Sequence, residues 1–445
     1  MTYEEALAFW YGRIDYERRQ PKPGDLKLDR MRGLLSRLGN PHQHLRTVHI
    51  AGTKGKGSTA AMLASVLKRA GYRTGLFTSP HLSDISERMQ VDGTPITRDE
   101  MTARMNEVAA AVHDMDRLGD PSQSPTFFEV ITALGMLHFD CRRVDVAVLE
   151  VGLGGRFDST NVCEPLLSII TNISYDHLSI LGNSLAEIAF QKAGIIKRHV
   201  PVISTAEEPE ADRVIREVAR ETRASLIGLG TDFSEEWQPG KPFQPASVRV
   251  RTTARDWGWL PLGLAGPHQA ANAAGVVAAV EQLQKKGLNI SDAAVAKGLK
   301  DVVWPARIEL IQREPVVLVD CAHNVASAES LLKTIRASFP IEGKKHLIFA
   351  ASTDKQISEI LTTLAPYFDS FHLTRYQSNP RSADPQTMAE MLRELGKHAV
   401  HIYPNPEDAW QSARKQLTLK DGVVVTGSVF LAGELRPLMV RDCQS

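Results

Sequence analysis

The sequence predicts an α/β protein in two units: a P-loop-containing, mostly parallel sheet domain with a small β insertion, followed by a smaller Rossmann-like α/β domain. Three observations predict it. From Thr47 onward, short apolar runs ending in Gly, Asp, Glu or Thr alternate with longer helical patterns, as in a parallel sheet wrapped by helices. At 445 residues the chain exceeds the usual size of one domain. The alternation breaks near "GLKDVVWPARIEL" and then restarts, which puts a boundary at about residue 302 and gives units of 1–301 and 302–445.

The first unit's candidate strands are "TVHIAG", "RTGLFTS", "VDVAVLEV", "LLSIITN" and "PVIS", each followed by a polar loop. In open α/β sheets those strand ends form the ligand crevice. Around residues 207 to 266 the composition changes, and "SEEWQPGKPFQPASVRVRTTARDWGWLPLGLAG" mixes Pro, Gly and alternating Val/Arg as an antiparallel insertion would. "GPHQAANAAGVVAAVEQLQ" reads as a helix rich in small residues. The second unit offers "PVVLVDCAHN", "HLIFAAST", "SFHLTRYQ" and "GVVVTGSVF" as strands. A balance of 52 basic and 52 acidic residues gives no bulk pull toward nucleic acid or lipid. Cys141, Cys163, Cys321 and Cys443 are scattered without metal-ligand or disulfide spacing, which suits a reducing compartment. The N-terminus is charged throughout, and no run approaches the roughly 18 apolar residues of a membrane span. The expectation is a cytoplasmic protein with neither nucleic acid nor membrane as a partner.

The stretch "HIAGTKGKGSTAAMLASVLKRAGYRTG", His49 to Gly75, departs from a strict P-loop. Only two residues separate Gly52 from Gly55-Lys56, and Gly57 stands between Lys56 and Ser58. The strand, glycine turn and helix order still suits a phosphate, because glycines admit close backbone approach and the helix start presents unpaired N–H groups. Ala60, Leu63, Ala64 and Leu67 mark one helical face, Lys56 would supply a point charge, and Ser58 a hydroxyl. An ordinary βα turn is the alternative.

In "DVAVLEVGLGGRFDSTN" an apolar strand ends on Glu150, a hard carboxylate beside the expected phosphates that would suit Mg²⁺ or simply cap the strand. Asp176-His177 follows another strand, so His177 can reach the same crevice or serve the fold. Ser184 and Glu187 have capping-box spacing, and the following stripe of Leu185, Ile188, Ala189 and Ile196 includes Lys192. A lysine on a core face must be paired, neutral, modified or able to snorkel to solvent. Asp320, His323 and Asn324 in "LVDCAHN" and Ser428 in "TGSVFLAGE" follow strands of the second unit, where they would cap helices or, with Arg307 near the junction, close over a nucleotide.

Together these residues resemble the folylpolyglutamate synthase and dihydrofolate synthase family, a branch of the Mur ligase superfamily. "HIAGTKGKGS", "TSPHL", "TFFEV", "EVGLGGRFDSTN", "YDHLSILG", "QKAGIIK", "GPHQAANA", "DCAHN" and "GSVFLAGE" stand in the family's order over most of the chain. The irregular loop is the family's own form. The resemblance implies ATP phosphates at Lys54, Gly55, Lys56 and Gly57, with the hydroxyl of Ser58 beside them, and nucleotide contacts at Asn272, Arg307 and Asp320. It implies Mg²⁺ at Ser79, Glu150 and His177, with a second Mg²⁺ or K⁺ as a further cation, and a carbamylated Lys192 assisting the metal site. Pterin-side contacts correspond to Thr126, Phe127, Phe128 and Glu129 and to Phe157, Asp158 and Ser159, with Phe127 or Phe128 as a stacking surface. His323 and Ser428 would handle the incoming L-glutamate. The departure is Cys321, where the family usually has glycine in "DGAHN"; a side chain there would tighten the loop that carries Asp320 and His323.

The implied reaction is ATP-dependent amide formation, in which Lys56, Lys192, His177 and His323 are the residues nearest the chemistry. A carboxylate of dihydropteroate or a reduced folate takes the γ-phosphate, and the amine of glutamate displaces phosphate from the acyl phosphate. The family's habit implies a monomer. A cell-wall amino-acid ligase is the nearest rival, but those enzymes carry a substantial domain before the P-loop, which here begins at residue 52. A P-loop binding switch would want a guanine-reading Asn/Thr-Lys-x-Asp motif, which is not found.

Overall fold

The computed structural model describes residues 1–16 and 24–444. Eight strands build the first sheet: β1 (Thr47–Ala51), β2 (Thr74–Phe77), β3 (Met89–Val91), β4 (Thr94–Pro95), β5 (Val146–Glu150), β6 (Pro165–Ile170), β7 (Val202–Ser204) and β8 (Leu226–Gly228). Their order is β4-β3-β2-β5-β1-β6-β7-β8, parallel except where β3 and β4 turn back at the edge. β1 and β5 lie side by side at the centre and are buried along their whole length, so helices cover both faces. The order reverses around β1, and the polar loops after β1, β2, β5 and β6 leave from the same edge of the sheet, where open α/β sheets bind ligands.

A three-stranded antiparallel sheet follows: β9 (Phe233–Gln238), β10 (Ala246–Thr252) and β11 (Asp256–Leu262). The insertion therefore begins later than its composition suggests. Residues after 207 first form the helix Pro209–Glu221 and then β8, which completes the large sheet. The helix His268–Lys285 packs against the helix Lys56–Arg69, against β6 and β7, and against all three insertion strands. Buried on almost every side, it must be thin, which its alanines and Gly275 make it.

The second unit holds six strands: β12 (Glu309–Gln312), β13 (Val316–Val319), β14 (Lys345–Phe349), β15 (Ser370–Leu373), β16 (Val400–Ile402) and β17 (Gly422–Thr426). They lie in the order β12-β13-β17-β14-β15-β16, with only β12 antiparallel. The connection between the sheets is tied to both. Ser65 Oγ donates to Gly298 O at 2.8 Å and Arg69 pairs with Asp301 at 2.7 Å, while Glu309 pairs with Arg436 at 2.7 Å. Between these ties Ala306 and Ile308 take left-handed φ of 53° and 51°, one on each side of Arg307.

Candidate active site

Gly55 sits at φ 86° and precedes the helix Lys56–Arg69, whose start carries no side-chain cap. A Cβ on Gly55 would lie 2.4 Å from Asn272 Oδ1, so glycine is required for close approach as well as for the turn. The uncapped N–H groups of that first turn form an anion-seeking end at the crevice. Thr171 Oγ1 donates to Lys54 O at 2.7 Å and Thr53 N–H to Asn172 O at 2.7 Å, which pins the loop to the end of β6. Lys56 Nζ points back over the loop, 3.5 Å from Thr53 O. Lys54 Nζ crosses to the second unit and donates to Asn324 Oδ1 at 2.9 Å. Ser58 is buried and accepts from Gln269 Nε2 at 3.3 Å, while Asn272 Nδ2 donates to Gln269 Oε1 at 2.9 Å.

Glu150 ends β5 only 5% exposed, and Ser79 donates its backbone N–H to Oε2 at 3.2 Å. Burial raises the carboxyl pKa, opposed by Lys56, by that N–H and by Arg307. His177 opens a short helix in a left-handed conformation, φ 48°, with its side chain 52% exposed. Desolvation holds its pKa below the usual value, and Lys355, Lys192 and Lys56 push the same way against Asp176. Lys192, in the helix Leu185–Ala193, is 4% exposed and donates to Gly52 O at 2.8 Å. Burial and then Lys56 lower its pKa to about 7, against Asp176 and Asp158. The structure thus brings Lys56, Glu150, His177 and Lys192 into one electrostatic cluster. Ile196 is buried but lies beyond that helix, which ends at Ala193.

From the second unit, Asp320 accepts N–H bonds from Ile308 at 2.9 Å and Ala322 at 2.7 Å, so it clamps the connection as well as its own loop. Burial raises its pKa, and Arg307 opposes this. Cys321 is buried beside Arg307, its thiol pushed up to about 11 by burial. His323 sets Nδ1 2.9 Å from Cys321 O, and Asn324 caps the helix Val325–Ser338. Ser428 is buried and accepts from Phe430 N–H at 3.1 Å.

The pterin-side candidates divide. Thr126 and Glu129 form a capping box on the helix Phe127–Cys141, and Glu129 also pairs through both oxygens with Arg30 at 3.0 Å. Phe127 is 2% exposed and stacks on Trp10, with ring centroids 5.0 Å apart. A ring enclosed in the core offers no face to a substrate, so the stacking surface expected of Phe127 is corrected; Phe128, half-buried beside Gly152, keeps that possibility. Phe157 is exposed. Asp158 accepts from Leu153 N–H at 2.9 Å and Thr160 N–H at 3.0 Å, and Ser159 Oγ lies 2.8 Å from Thr132 Oγ1.

Sequence reading passed over Thr171, Gln269, Trp304 and Lys355. Lys355 follows the end of β14 and was open to the strand-end rule. Thr171 and Gln269 act through partners 117 and 211 residues away, which no local pattern signals. Among the described residues, no group of three or more His, Cys, Asp or Glu could hold a metal by itself, and no helix is long and apolar enough to cross a membrane.

The chain matches two family profiles: "Mur ligase middle domain" over residues 50–280 and "Mur ligase, glutamate ligase domain" over residues 306–429. It is 36% identical over 442 residues to a dihydrofolate synthase/folylpolyglutamate synthase of Bacillus subtilis, covering 98% of each chain. Among solved structures, a Mycobacterium tuberculosis folylpolyglutamate synthase complexed with ADP superposes with a TM-score of 0.87 at 31% identity, covering 98% of each chain. An Escherichia coli FolC in complex with DHPP and ADP gives a TM-score of 0.85 at 29% identity, covering 100% of this chain and 99% of that one.

Proposed function

Since the chain belongs to the dihydrofolate synthase/folylpolyglutamate synthase family of Mur-type ATP-dependent ligases, we propose that it joins the amine of L-glutamate to the carboxylate of dihydropteroate, of a reduced folate, or of both. The observation that carries this is the cluster of Lys56, Glu150, His177 and Lys192 at the strand ends, with Lys54 reaching Asn324 across the crevice. Relatives with the same fold bind ADP, and one binds DHPP and ADP.

On this reading the acceptor carboxylate attacks the γ-phosphate of ATP, giving an acyl phosphate and ADP. The glutamate amine then adds to the acyl carbon, and the tetrahedral intermediate expels phosphate. Lys56 and the uncapped helix start stabilise the charge that develops on phosphate. Lys54, Gly55, Gly57 and Ser58 complete the phosphate cradle, with Asn272, Arg307 and Asp320 on the rest of the nucleotide. Glu150, His177 and Ser79 would hold Mg²⁺. Glu150 supports this reading: its carboxylate accepts a single hydrogen bond, and Mg²⁺ takes its remaining ligands from water and phosphate. When bound, the ion offsets phosphate charge. A Lys192 amine with a pKa of about 7 is about half neutral at neutral pH, the form that takes up CO₂ as a carbamate. His323 and Ser428 would meet glutamate, and Phe128, Phe157, Asp158 and Ser159 the pterin side, with Thr126 and Glu129 shaping that wall. The division between the two units falls near residue 302, and the protein works as a cytoplasmic monomer.

The test is direct. Purified protein with ATP, Mg²⁺ and glutamate should release ADP and form a glutamylated product with dihydropteroate or tetrahydrofolate, assayed side by side. No product with either acceptor would overturn the proposal.

A further inference from the structure

The irregularity of the phosphate loop, Gly57, has a neighbour that accounts for it. A Cβ at residue 57 would stand 3.0 Å from Cζ2 of Trp304 and 3.3 Å from Cε2 and Nε1, so any side chain there would press the indole out of its place by a few tenths of an ångström. Trp304 is held there from behind. Gly298, six residues earlier, is so close to the phosphate-loop helix that a Cβ on it would lie 2.5 Å from Val66 Cα, and the Ser65 and Arg69 contacts fix the same segment. The segment that leads into Trp304 is therefore packed against the phosphate-loop helix.

Its N–H is the second observation. Trp304 Nε1 is buried and has no hydrogen-bond partner. Nearby donors are committed: Gln269 to Ser58, Asn272 to Gln269 and Lys54 to Asn324. Leaving a buried donor unpaired is costly, so an acceptor has to reach this N–H, and beside a phosphate loop a bound ligand can supply one. The first turn of this helix is where an anionic ligand is drawn.

We propose that Trp304 is a nucleotide-positioning residue: its indole N–H donates to bound ATP beside the first turn of the phosphate-loop helix, and Gly57 is glycine so that the ring can reach that place. This rests on the ATP-dependent ligase reading. It adds a donor supplied by the segment joining the two sheets, so nucleotide binding also reports where that segment lies.

Calorimetric titration of the full chain with ADP tests it, using Trp304→Phe, which keeps a ring and removes the donor, and Gly57→Ala, which presses on the ring and keeps the donor. Each variant should weaken ADP binding by about 5- to 30-fold, the loss of one hydrogen bond. KM for ATP should rise by the same factor, with a smaller change in kcat and none in KM for glutamate. The double variant should be no weaker than the worse single one, because both remove one contact. Melting without nucleotide checks that each variant folds. A folded Trp304→Phe that binds ADP within about twofold of the natural chain overturns the proposal, as does full additivity of the two changes. If the natural chain itself fails to bind ADP, the nucleotide reading of the site falls first, which separates the two failures.

Discussion

Glu129 and Lys192 are both charged side chains on helices, and each is at least nine-tenths buried, yet their surroundings are opposite. Glu129 is met by the Arg30 guanidinium on both oxygens and by the N–H and hydroxyl of Thr126. Lys192 has one neutral partner, the carbonyl of Gly52, and another cation, Lys56, close enough to lower its pKa further. A buried charge whose partners are complete is architecture. One that stays under-compensated beside a phosphate loop is held for chemistry, because folding alone would favour an apolar residue there.

The largest expected effect follows from that contrast. Lys192→Met should lower ligase activity by on the order of 10²- to 10³-fold while leaving thermal stability equal or higher, since it removes a desolvated amine and one hydrogen bond. ADP-release kinetics and melting curves check both halves; an active variant that melts early would show Lys192 to be structural. Next is Glu129→Ala, which strands the Arg30 guanidinium and should cost about 3–5 kcal/mol of stability in denaturant titration. An unchanged midpoint would show that Glu129 is not structural.

Acid acts on buried groups that serve the fold alone. Burial lowers the pKa of His49 to about 3 and of His138 to about 4, and His372 falls to about 3 through burial and then His346 and His401. These folded-state values lie below the unfolded one of 6.5, so the unfolded chain binds more protons between about pH 6.5 and 3–4. Stability should therefore be highest above pH 6.5 and fall as pH drops through that window, as melting temperature against pH will show. His49→Gln, placed to keep the bond to Thr160 Oγ1, should flatten the slope. The smallest effects separate two adjacent rings. Phe127→Leu should cost about 1 kcal/mol of stability and leave the KM for the pterin acceptor unchanged, whereas Phe128→Leu should raise that KM several-fold with little change in melting. Equal behaviour of the two would remove Phe128 from the site.

Strands written as a continuous apolar run ending in a polar loop were legible, because burial on both faces demands that pattern: β1, β5, β6, β13 and β17 lie where the runs stand. Short edge strands were not. β3 and β4 hold three and two residues, although Asp92-Gly93 between them, both at positive φ, is a hairpin signal the sequence does carry. β16 is largely exposed and so lacks an apolar signature. The Ser184–Glu187 cap was legible because both partners lie within one turn. Glu129 is the opposite case. Its capping role is local, but Arg30 lies 99 residues away, and without that partner a buried acid reads as a ligand as readily as a support. The same limit hid Trp304, whose contact with Gly57 exists only once two helices have packed.

Ala306 and Ile308 bear on how the protein can be divided. A β-branched residue in the left-handed region stays there only while the chain on both sides holds it, and here both ends are fastened to different sheets. A break inside this segment would let both residues relax to extended conformations and swing Arg307 out of register. Two co-expressed fragments split after Val303 should therefore each fold and still fail to complement, whereas fragments split in the exposed turn at residues 253–255 should reassemble into a working enzyme.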